Sequence, residues 1–547
     1  MKLAAILSAL ALVALLLRAQ APASKPGSVD GTVVNFATGE PVRKASVRLE
    51  SQPKPGGTAH SLKTQSDASG RFHFDSVEPG LYYAVGAQRD GYMDPQGRYG
   101  IPAPFQVAEE QHVSGFVVKL VPLAVLSGHV QDDDGAPIPN ASIAVLHYSY
   151  ESGRRRLGAV AVLEQTNDLG EFEILTIPPG RYYLQVAPPR RRNIPVHTRW
   201  MRPEEAYPIT FYPNARQISE ATPIDVAQGA HVGNLDFHLR KVPAYHIRGH
   251  VAGQTGGQPQ TFDQLVVETL GTRAGGIGQM GLQADGSFDI PGVANGSYDV
   301  RFTRLRVGQG ETPYPAQSIQ VADADVNDLV FTDDPKIEVS GTISVDGSRP
   351  DRLNIYVVLE PSNSVFRMGG TSAADGSFHV ASVPMQVCHL DLPFPPEGYY
   401  VKSIRFGDHE IKDGDIDLSN GADASLNIVL ASGGGVIDGN VQTLTGQPAT
   451  GTEVTVARSD EYAGRSDLLK RATTDAAGNF HMKDVAPGDY RVYAWEIDLD
   501  QSPRSAEFRN LFDGQSAAVT VGPNSNTSVQ VNVILADDIA RERSKLP

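Results

Sequence analysis

The chain has 547 residues, of which 40% are hydrophobic and 20% charged. A single hydrophobic core stops growing at roughly 250–300 residues, so a chain of this length is expected to divide into several domains. The formal net charge of -16 excludes a surface that attracts nucleic acid or anionic membranes as a whole. The 54 glycines and 38 prolines favour a turn-rich, all-β protein.

Residues 1–23 have the pattern of a secretory signal peptide. Lys2 precedes an apolar run from Leu3 to Leu17, which is short for a spanning helix, and Ala21-Pro22-Ala23 provides a cleavage site. No later apolar run approaches roughly 18 residues, so we expect no transmembrane helix in the mature chain. The pattern predicts an exported protein, and it does not distinguish a periplasmic, cell-surface or secreted location.

One spacing recurs five times along the chain. A glycine followed two residues later by phenylalanine stands ten residues before a second turn position. The pairs are Gly70 and Gly80, Gly170 and Gly180, Gly286 and Gly296, Gly376 and Gln386, and Gly478 and Gly488. A tyrosine follows the second position by two residues, except in the fourth instance, where Cys388 takes its place. Repetition at this long period indicates tandem domains rather than a solenoid.

Each unit opens with a short apolar strand that carries a glycine, and alternating strands follow it. The first glycine of the recurring pair is expected to take a positive φ, and the phenylalanine to point inward. Six or seven short strands in about 100 residues predict an antiparallel β-sandwich of the transthyretin-like type. The expected domains, named repeats 1 to 5, are 24–122, 123–242, 243–334, 335–432 and 433–535, followed by a charged tail at 536–547. Very short linkers predict a semi-rigid rod or arc.

These residues resemble the carboxypeptidase regulatory-like domain. Gly-x-Phe, Pro-Gly-x-Tyr and the opening glycine are all present in repeats 1, 2 and 5. Asn295 replaces the proline in repeat 3, and Met385-Gln386 replaces Pro-Gly in repeat 4. The resemblance covers most of residues 28–535. It implies a transthyretin-like or carbohydrate-binding-like β-sandwich with an accessory or binding role, and it names no active site.

The motifs of common enzymes are missing from the sequence. We find no His-x-x-Glu or His-Glu-x-x-His for zinc, no Gly-x-Ser-x-Gly elbow and no phosphate-binding loop. We therefore predict no catalytic residues, no metal and no cofactor. Cys388 is the only cysteine, so no intramolecular disulfide forms; a buried small side chain is favoured over a reactive or intermolecular thiol.

Two weaker chemical hypotheses stay open at this point. Acidic clusters at 132–134, 323–325 and 413–417 are typical of solvated turns, with loosely bound calcium as the alternative. Sandwiches that resemble collagen-adhesin repeats can form a lysine–asparagine cross-link, for which Lys336 with Asn427 is the one pairing we can suggest.

Repeat 2 carries the candidate ligand-binding residues. They are Arg154, Arg155, Arg156, Trp200, Tyr207 and Tyr212. Arginine and aromatic side chains together suit sugar stacking, anionic glycans or a protein contact. The alternative is a solvated hairpin tip and a loop that packs its own aromatic side chains.

The leading hypothesis is a non-enzymatic, exported protein of several domains that acts as a scaffold or binding module in the envelope or outside the cell. Its partner would be an envelope or extracellular protein, or a glycan, and not nucleic acid. The alternative is carbohydrate binding through the β-sandwich domains, chiefly repeat 2.

Overall fold

The computed structural model describes residues 25–51, 61–94, 105–151, 154–189, 205–252, 261–273, 276–280, 282–283, 285–306, 310–314, 316–332, 336–350, 353–362, 367–393, 395–422, 424–497, 499 and 501–545. The predicted signal peptide at 1–23 lies outside these residues. Strands make up 59% of the structure and helices 6%, so the predicted all-β class is confirmed. The chain separates into two compact units, with the division after Pro122, and each is described by itself.

Repeat 1 is built from two four-stranded sheets. Its strands are β1 (Gly27–Asn35), β2 (Ser46–Ser51), β3 (Ser61–Gln65), β4 (Arg71–Val77), β5 (Gly80–Gln88), β6 (Tyr92–Met93), β7 (Phe105–Val107) and β8 (His112–Pro122). One sheet has the order β4-β1-β8-β6 and the other β3-β2-β5-β7. The alternation of apolar residues along β4 places Phe72 and Phe74 in the core between the sheets.

Repeat 2 has the same plan, but its second and third strands form a longer hairpin. Its strands are β9 (Ala124–Asp132), β10 (Ser142–Glu151), β11 (Arg154–Gln165), β12 (Glu171–Ile177), β13 (Gly180–Ala187), β14 (Glu205–Ala206), β15 (Thr210–Phe211), β16 (Ile224–Val226), β17 (His231–Val232) and β18 (Phe237–Leu239), with a 3-10 turn at Ile218–Glu220. One sheet is β12-β9-β17, with β18 also pairing β9. The other sheet contains β15-β13-β10-β11, with β16 also pairing β13.

Repeat 3 pairs with repeat 2 at two places. Its strands are β19 (Val242–Val251), β20 (Thr261–Thr269), β21 (Thr272–Arg273), β22 (Ile277–Met280), β23 (Ser287–Ala294), β24 (Gly296–Arg306), β25 (Gly310–Pro313), β26 (Gln317–Val321) and β27 (Val326–Phe331). β21 adds a short parallel strand to the edge of β11, and β14 of repeat 2 pairs antiparallel with β19. These contacts tie the two repeats together through backbone hydrogen bonds.

Repeats 4 and 5 complete the chain. Repeat 4 contains β28 (Lys336–Asp346), β29 (Tyr356–Pro361), β30 (Met368–Thr371), β31 (Ser377–Pro384), β32 (Val387–Asp391), β33 (Tyr399–Phe406), β34 (His409–Glu410), β35 (Asp415–Asp417) and β36 (Leu426–Ser432). Repeat 5 contains β37 (Gly435–Gln442), β38 (Glu453–Arg458), β39 (Lys470–Thr473), β40 (Asn479–Val485), β41 (Gly488–Trp495), β42 (Ala517–Val521) and β43 (Asn526–Ile534). Helices α1 (Ala506–Asn510) and α2 (Ala536–Ser544) follow β41 and β43, and 3-10 turns lie at Ser466–Leu468, Ser502–Arg504 and Asp513–Gln515. The charged tail thus begins as a helix.

The sheets are mixed, whereas the sequence led us to expect antiparallel ones. In each repeat the opening strand pairs antiparallel with the strand that carries the phenylalanine. Its other neighbour is the closing strand of the same repeat, and that pair is parallel. Alternation along a strand shows which face is buried but not the direction of its neighbour, so the sequence could not reveal this pairing.

Five hydrophobic clusters follow one another along the chain, with members that span 29–120, 124–239, 187–331, 339–430 and 437–533. The phenylalanine of the recurring motif is buried in every one (Phe72, Phe172, Phe288, Phe378 and Phe480). The positions two residues after the second turn are buried as well (Tyr82, Tyr182, Tyr298, Cys388 and Tyr490). The recurring spacing therefore marks core positions.

The first glycine of the recurring motif makes the tight turn into the phenylalanine strand. Its φ is positive in all five repeats, between 72° at Gly70 and 95° at Gly376, as the spacing predicted. In repeat 1, Asp67 caps this turn, because its Oδ1 accepts hydrogen bonds from the backbone N–H groups of Ser69 and Arg71, both at 2.8 Å. The Gly70 carbonyl accepts from Val33 N at 2.7 Å, which fastens the turn to β1. Asn167 caps the equivalent turn of repeat 2 in the same way, and Asp475 that of repeat 5.

The motif tyrosine is held by its hydroxyl as well as by its ring. Each of the four tyrosines donates to the backbone carbonyl four residues earlier, over 2.7 to 3.0 Å (Tyr82, Tyr182, Tyr298 and Tyr490). The bond ties the start of the tyrosine strand to the end of the preceding strand, like the tyrosine corner of other β-sandwiches. Repeat 4 has Cys388 at this place and fills the core position without a phenol.

Candidate functional site

The β10–β11 hairpin of repeat 2 carries the predicted arginines. β10 and β11 pair antiparallel, with Tyr150 opposite Arg155 and Ser149 opposite Arg156. The hairpin strands are 10 and 12 residues long, whereas the equivalent strands of repeat 1 have 6 and 5. Because these strands are longer, the turn end of the hairpin, where the arginines lie, reaches repeats 4 and 5. We call it the arginine end.

Two of the predicted arginines make contacts within the chain. The Arg155 guanidinium lies 4.7 Å from the centre of the Tyr148 ring, and its Nε is 3.8 Å from Glu507 Oε1 in α1. Arg156 donates from Nη2 to the carbonyl oxygen of Ser362 in repeat 4. The backbone of Arg154 closes the hairpin opposite Glu151. Arg155 and Arg156 thus join repeat 2 to repeats 5 and 4, and a ligand-binding role of the three arginines stays a prediction.

The predicted tyrosines lie against repeat 2 itself. The Tyr207 hydroxyl donates to Asp132 Oδ2 at 3.4 Å, and Lys241 Nζ lies 5.4 Å from the centre of its ring. Burial, with Asp132 adding to it, raises the pKa of Tyr207. The Tyr212 ring packs edge-on against Phe237, at a centroid distance of 5.8 Å. Both rings are partly buried beside the core of repeat 2, and Trp200 lies outside the described residues.

An aromatic cluster, made of Tyr150, Tyr493, Trp495, Phe508 and Phe512, fills the contact between repeats 2 and 5. Trp495 is 1% exposed, and its Nε1 donates to Thr455 Oγ1 at 3.0 Å. Phe508 is the central ring, with centroids 5.5 Å from Tyr150, 5.7 Å from Trp495 and 5.1 Å from Phe512. Aromatic pairs at such distances add to the gain from apolar burial. Repeats 2 and 5 are therefore in contact although two repeats lie between them in the chain, so of the expected rod or arc a straight rod is excluded for residues 123–547.

The segment between β41 and β42 carries Phe508, and a buried arginine holds this segment in place. Arg509 donates from Nη1 to the carbonyls of Pro503 and Arg504, and from Nη2 to that of Ala463. Burial lowers the pKa of Arg509 to about 10, so the group stays charged near neutral pH. Because three backbone carbonyls converge on one guanidinium, the short helix α1 and the turn before it are held in a defined position. This role could not be predicted from the sequence, since a single arginine in a short segment is most often a surface residue.

The C-terminal helix α2 covers the same cluster. Ile539 is buried among its rings, and the Arg543 guanidinium lies 5.2 Å from the centre of the Phe508 ring. Arg543 also donates to Ser502 Oγ at 2.9 Å. The helix and the hairpin of repeat 2 thus contact Phe508 together, and the charged tail has a structural role.

Two buried tyrosine hydroxyls of this region should respond oppositely to replacement by phenylalanine. Tyr490 donates to the Ala486 carbonyl at 2.7 Å, so Tyr490→Phe is expected to cost about 1–2 kcal/mol of stability. The Tyr150 hydroxyl is buried without a hydrogen-bond partner among the described residues, so Tyr150→Phe should leave stability unchanged or raise it by about 1 kcal/mol. Amide exchange in β41 for Tyr490→Phe and in β10 for Tyr150→Phe measures the two changes, and equal losses would contradict the assignment.

The acidic clusters serve their own turns and neighbouring strands. Asp132 Oδ1 accepts from the backbone N–H of Asp134 at 3.0 Å and of Ala136 at 2.9 Å. Asp325 Oδ2 lies 2.7 Å from Arg248 Nη1, and a backbone hydrogen bond from His246 is the main cause that lowers the pKa of Asp325. Within the described part of the chain, no group of three or more His, Cys, Asp or Glu side chains is arranged to hold a metal ion.

The suggested cross-link in repeat 4 does not fit the strand register. Asn427 lies opposite Thr342, and its Oδ1 accepts from the Thr342 hydroxyl at 2.8 Å. Lys336 stands opposite Pro384, at the other end of the same strand β28. Six residues of strand separate Lys336 from Thr342, about 20 Å at roughly 3.3 Å per residue, so the lysine cannot reach Asn427.

Helices are few and short in this protein. Among the residues that the structure describes, none is long and apolar enough to cross a membrane.

Comparison with known families supports the resemblance seen in the residues. Residues 28–104 match the carboxypeptidase regulatory-like domain. The predicted resemblance is therefore confirmed in repeat 1, where the matched range begins in β1 and includes β2 to β6. None of the curated proteins compared with the chain matches it.

Several solved structures are similar in part. The Bacillus anthracis TIE protein is 12% identical, with 56% of this chain and 51% of that chain covered and a TM-score of 0.17; the match thus spans about half of its length. A minor pilin of Streptococcus agalactiae is 12% identical over 40% of this chain and 97% of that chain, with a TM-score of 0.20. The major pilin subunit of Bacillus cereus is 11% identical over 56% and 99%, with a TM-score of 0.16. The fold assignment rests on the strand pairing described above.

Proposed function

We propose that this chain is an exported, non-enzymatic protein that acts as a scaffold or binding module in the cell envelope or outside the cell. The five hydrophobic clusters support five tandem β-sandwich domains with the boundaries of repeats 1 to 5. The signal-peptide pattern at residues 1–23 supports export, and the partner we propose is an envelope or extracellular protein.

The observation that carries this proposal is the aromatic cluster between repeats 2 and 5. A scaffold needs domains that keep a fixed arrangement, and large apolar contacts between domains are the ones that resist relative motion. Phe508, Trp495 and Tyr150 are each at most 5% exposed. Together with the β11–β21 pair, they fix repeats 2, 3 and 5 relative to one another.

The charged side chains support the non-enzymatic part of the proposal. Buried charged side chains form pairs within the fold, as in the Arg304–Asp263 pair at 2.6 Å and the Arg465–Asp467 pair at 2.5 Å. A catalytic site instead needs acid, base or nucleophile side chains that converge on an open pocket. The matched family domain is an accessory domain by resemblance, which agrees with this reading.

Small-angle X-ray scattering of the mature chain, residues 24–547, tests the scaffold proposal. We expect a profile of folded domains with restricted motion, and a shift toward flexible behaviour in the Phe508→Ala variant, because that change removes the central ring of the aromatic cluster. A wild-type profile typical of freely jointed domains would remove the proposal. The Leu444→Ala variant, at an exposed turn, is the matched control and should scatter like the wild type.

Carbohydrate binding through repeat 2 stays the alternative proposal, with Arg154, Arg155, Arg156, Trp200, Tyr207 and Tyr212 as its residues. Its support is the composition of the segment and the partial exposure of the two tyrosine rings. Binding of the mature chain to an array of glycans, with Trp200→Ala in parallel, tests it. Because Tyr212 also packs on Phe237, loss of binding in Tyr212→Ala counts only if the variant keeps the wild-type unfolding curve.

A further inference from the structure

The contact between repeats 4 and 5 is polar, unlike the aromatic cluster between repeats 2 and 5. We call it the polar joint. Asp391, at the end of β32, is 4% exposed; its Oδ1 accepts from Ser466 Oγ at 2.9 Å and its Oδ2 lies 3.3 Å from Arg504 Nη1. Three further pairs cross the joint: Lys412 with Glu461, Tyr462 with Glu410, and Lys483 with Glu397. Contacts of this kind between domains are the ones that open and close.

Glu360 lies inside the polar joint. Its neighbour Leu359 points into the core of repeat 4, so Val358 and Glu360 lie on the opposite face of β29. Both are nevertheless buried, Glu360 to 6% exposure. Asp391, which stands opposite Val358 in the same sheet, contacts Ser466 and Arg504 of repeat 5. A carboxylate that is taken out of water in this way carries a desolvation cost when it is ionised.

The charged groups around Glu360 come from several elements. Arg367, just before β30, places its Nε 2.7 Å from Glu360 Oε1. His389 stands directly opposite on β32 and is itself 3.0 Å from Asp415 Oδ1 on β35. The remaining groups are Asp391 on β32 and Arg504 of repeat 5. Arg156 of β11 also lies nearby, since it donates to the carbonyl of Ser362, two residues after Glu360. Burial raises the pKa of Glu360, Asp391 adds to the rise, and Arg367, His389 and Arg504 oppose it.

The link between the two repeats is short and built of glycine. Strand β36 ends at Ser432 and β37 begins at Gly435, so only Gly433 and Gly434 connect them. The Gly433 carbonyl accepts from Asn524 N at 2.9 Å, and a Cβ on Gly434 would lie 2.9 Å from the backbone of Asp484. The link therefore packs closely when the joint is closed, yet glycine leaves its backbone free to turn when the joint loosens.

We propose that the polar joint is a proton-sensitive hinge, in which the Glu360 face of repeat 4 closes on the 459–469 loop and the Ser502–Arg504 turn of repeat 5 when Glu360 is protonated. Ionised Glu360 loosens the joint, because its charge regains water when the two surfaces part. Repeat 5 stays fixed to repeat 2 through the aromatic cluster, so opening moves repeat 4 away from repeat 5 and also releases the hydrogen bond from Arg156 of repeat 2 to the Ser362 carbonyl.

The sign follows from the direction of the shift. In the closed joint the pKa of Glu360 is raised above its ordinary value of 4.5, and on opening the side chain returns to that value. Protonation of Glu360 therefore favours the closed joint over the open one. The advantage of closure is fully present below the ordinary pKa and is lost as pH rises through the raised one. Acidification from neutral pH tightens the joint.

Hydrogen exchange of the 459–469 loop in the mature chain tests this hinge. After correction for intrinsic rates, we expect several-fold slower exchange at about pH 5 than at about pH 7.5, since each unit of pKa shift is about tenfold in the closing equilibrium. Glu360→Gln should exchange slowly at both pH values, because the amide carries no charge. Strand β42 of repeat 5 is the internal reference. Glu338→Gln is the matched control, since Glu338 is exposed and pairs with His379 away from the joint.

Two outcomes overturn the proposal: equal loop protection at both pH values in the wild type, or an unchanged pH dependence in Glu360→Gln. A second variant tests whether hydrogen exchange of the 459–469 loop responds to changes in the joint. Asp391→Asn keeps the shape of the side chain but removes the charge that Arg504 faces, so it should speed loop exchange at both pH values. If the loop does not respond to Asp391→Asn, the joint is not held by this contact and the hinge is wrong.

Discussion

The Gly341→Ala variant is expected to lose about 3 kcal/mol of stability in repeat 4, because overpacking a closed core has a cost of this size. A Cβ at this position would lie 2.2 Å from the carbonyl oxygen of Leu426 and 2.3 Å from Cζ of Phe378. The first contact is with the backbone of the closing strand, which cannot rotate away. The second is with the phenylalanine ring of the recurring motif, which packs over the glycine. Amide exchange in β28, β31 and β36 measures the loss, since unfolding of a chain with several domains is not two-state.

A glycine in open space provides the control for that experiment. Gly514 has no atom within 4 Å of an added Cβ and no positive φ, so Gly514→Ala should change the stability of repeat 5 by less than about 0.5 kcal/mol. If Gly341→Ala were as mild as Gly514→Ala, the phenylalanine ring would not be packed on the opening glycine. The same contact recurs at Gly31 with Phe72 and at Gly439 with Phe480, which explains why the opening glycine repeats.

The Phe508→Ala variant is expected to cost about 3–5 kcal/mol, the range for removing a fully buried phenylalanine. Phe508 is 0% exposed and contacts rings from both repeats, so its loss should free the arginine end of the long hairpin. In a Trp200→Phe background, Trp495 is the one tryptophan, and its emission should shift toward the red as the cluster opens. Amides of residues 148–151 and 154–157 should lose protection at the same time.

Phe512→Ala is the matched variant for this prediction. Phe512 is equally buried and lies 5.3 Å from Trp495, but its ring partners among the described residues are Trp495 and Phe508 and not Tyr150. It should weaken repeat 5 and shift Trp495 emission while the hairpin keeps more protection than in Phe508→Ala. Equal hairpin protection in wild type and Phe508→Ala would show that repeats 2 and 5 do not depend on this contact.

The sequence correctly predicted which residues form the cores. The recurring glycine and phenylalanine encode a local turn and a strand that follows it, and both depend on residues close in sequence. The buried Phe72, Phe378 and Phe480 are found where the spacing placed them. Even the degenerate fourth repeat follows the pattern, because Cys388 fills the position of the tyrosine ring. Local geometry of this kind can be read from a single sequence.

The candidate site in repeat 2 could be predicted only in part. Arginines and aromatic rings were singled out correctly as unusual, and Arg155 and Arg156 do make specific contacts. Their partners, Glu507 and Ser362, lie more than 200 residues further along the chain. Nothing in the composition of a segment indicates which distant surface it meets, so an internal contact and a ligand site look alike.

By itself, the sequence determined the all-β class, the recurring turn and the inward-facing residues, because strand alternation and turn chemistry act over a few residues. Only the tertiary structure decided that each closing strand runs parallel to its opening strand, that the long hairpin of repeat 2 packs on Phe508, and that Asp391 of repeat 4 meets Arg504 of repeat 5. These features are contacts between segments that lie far apart in the sequence. They depend on how complete sheets fit together, and strand alternation carries no record of that fit.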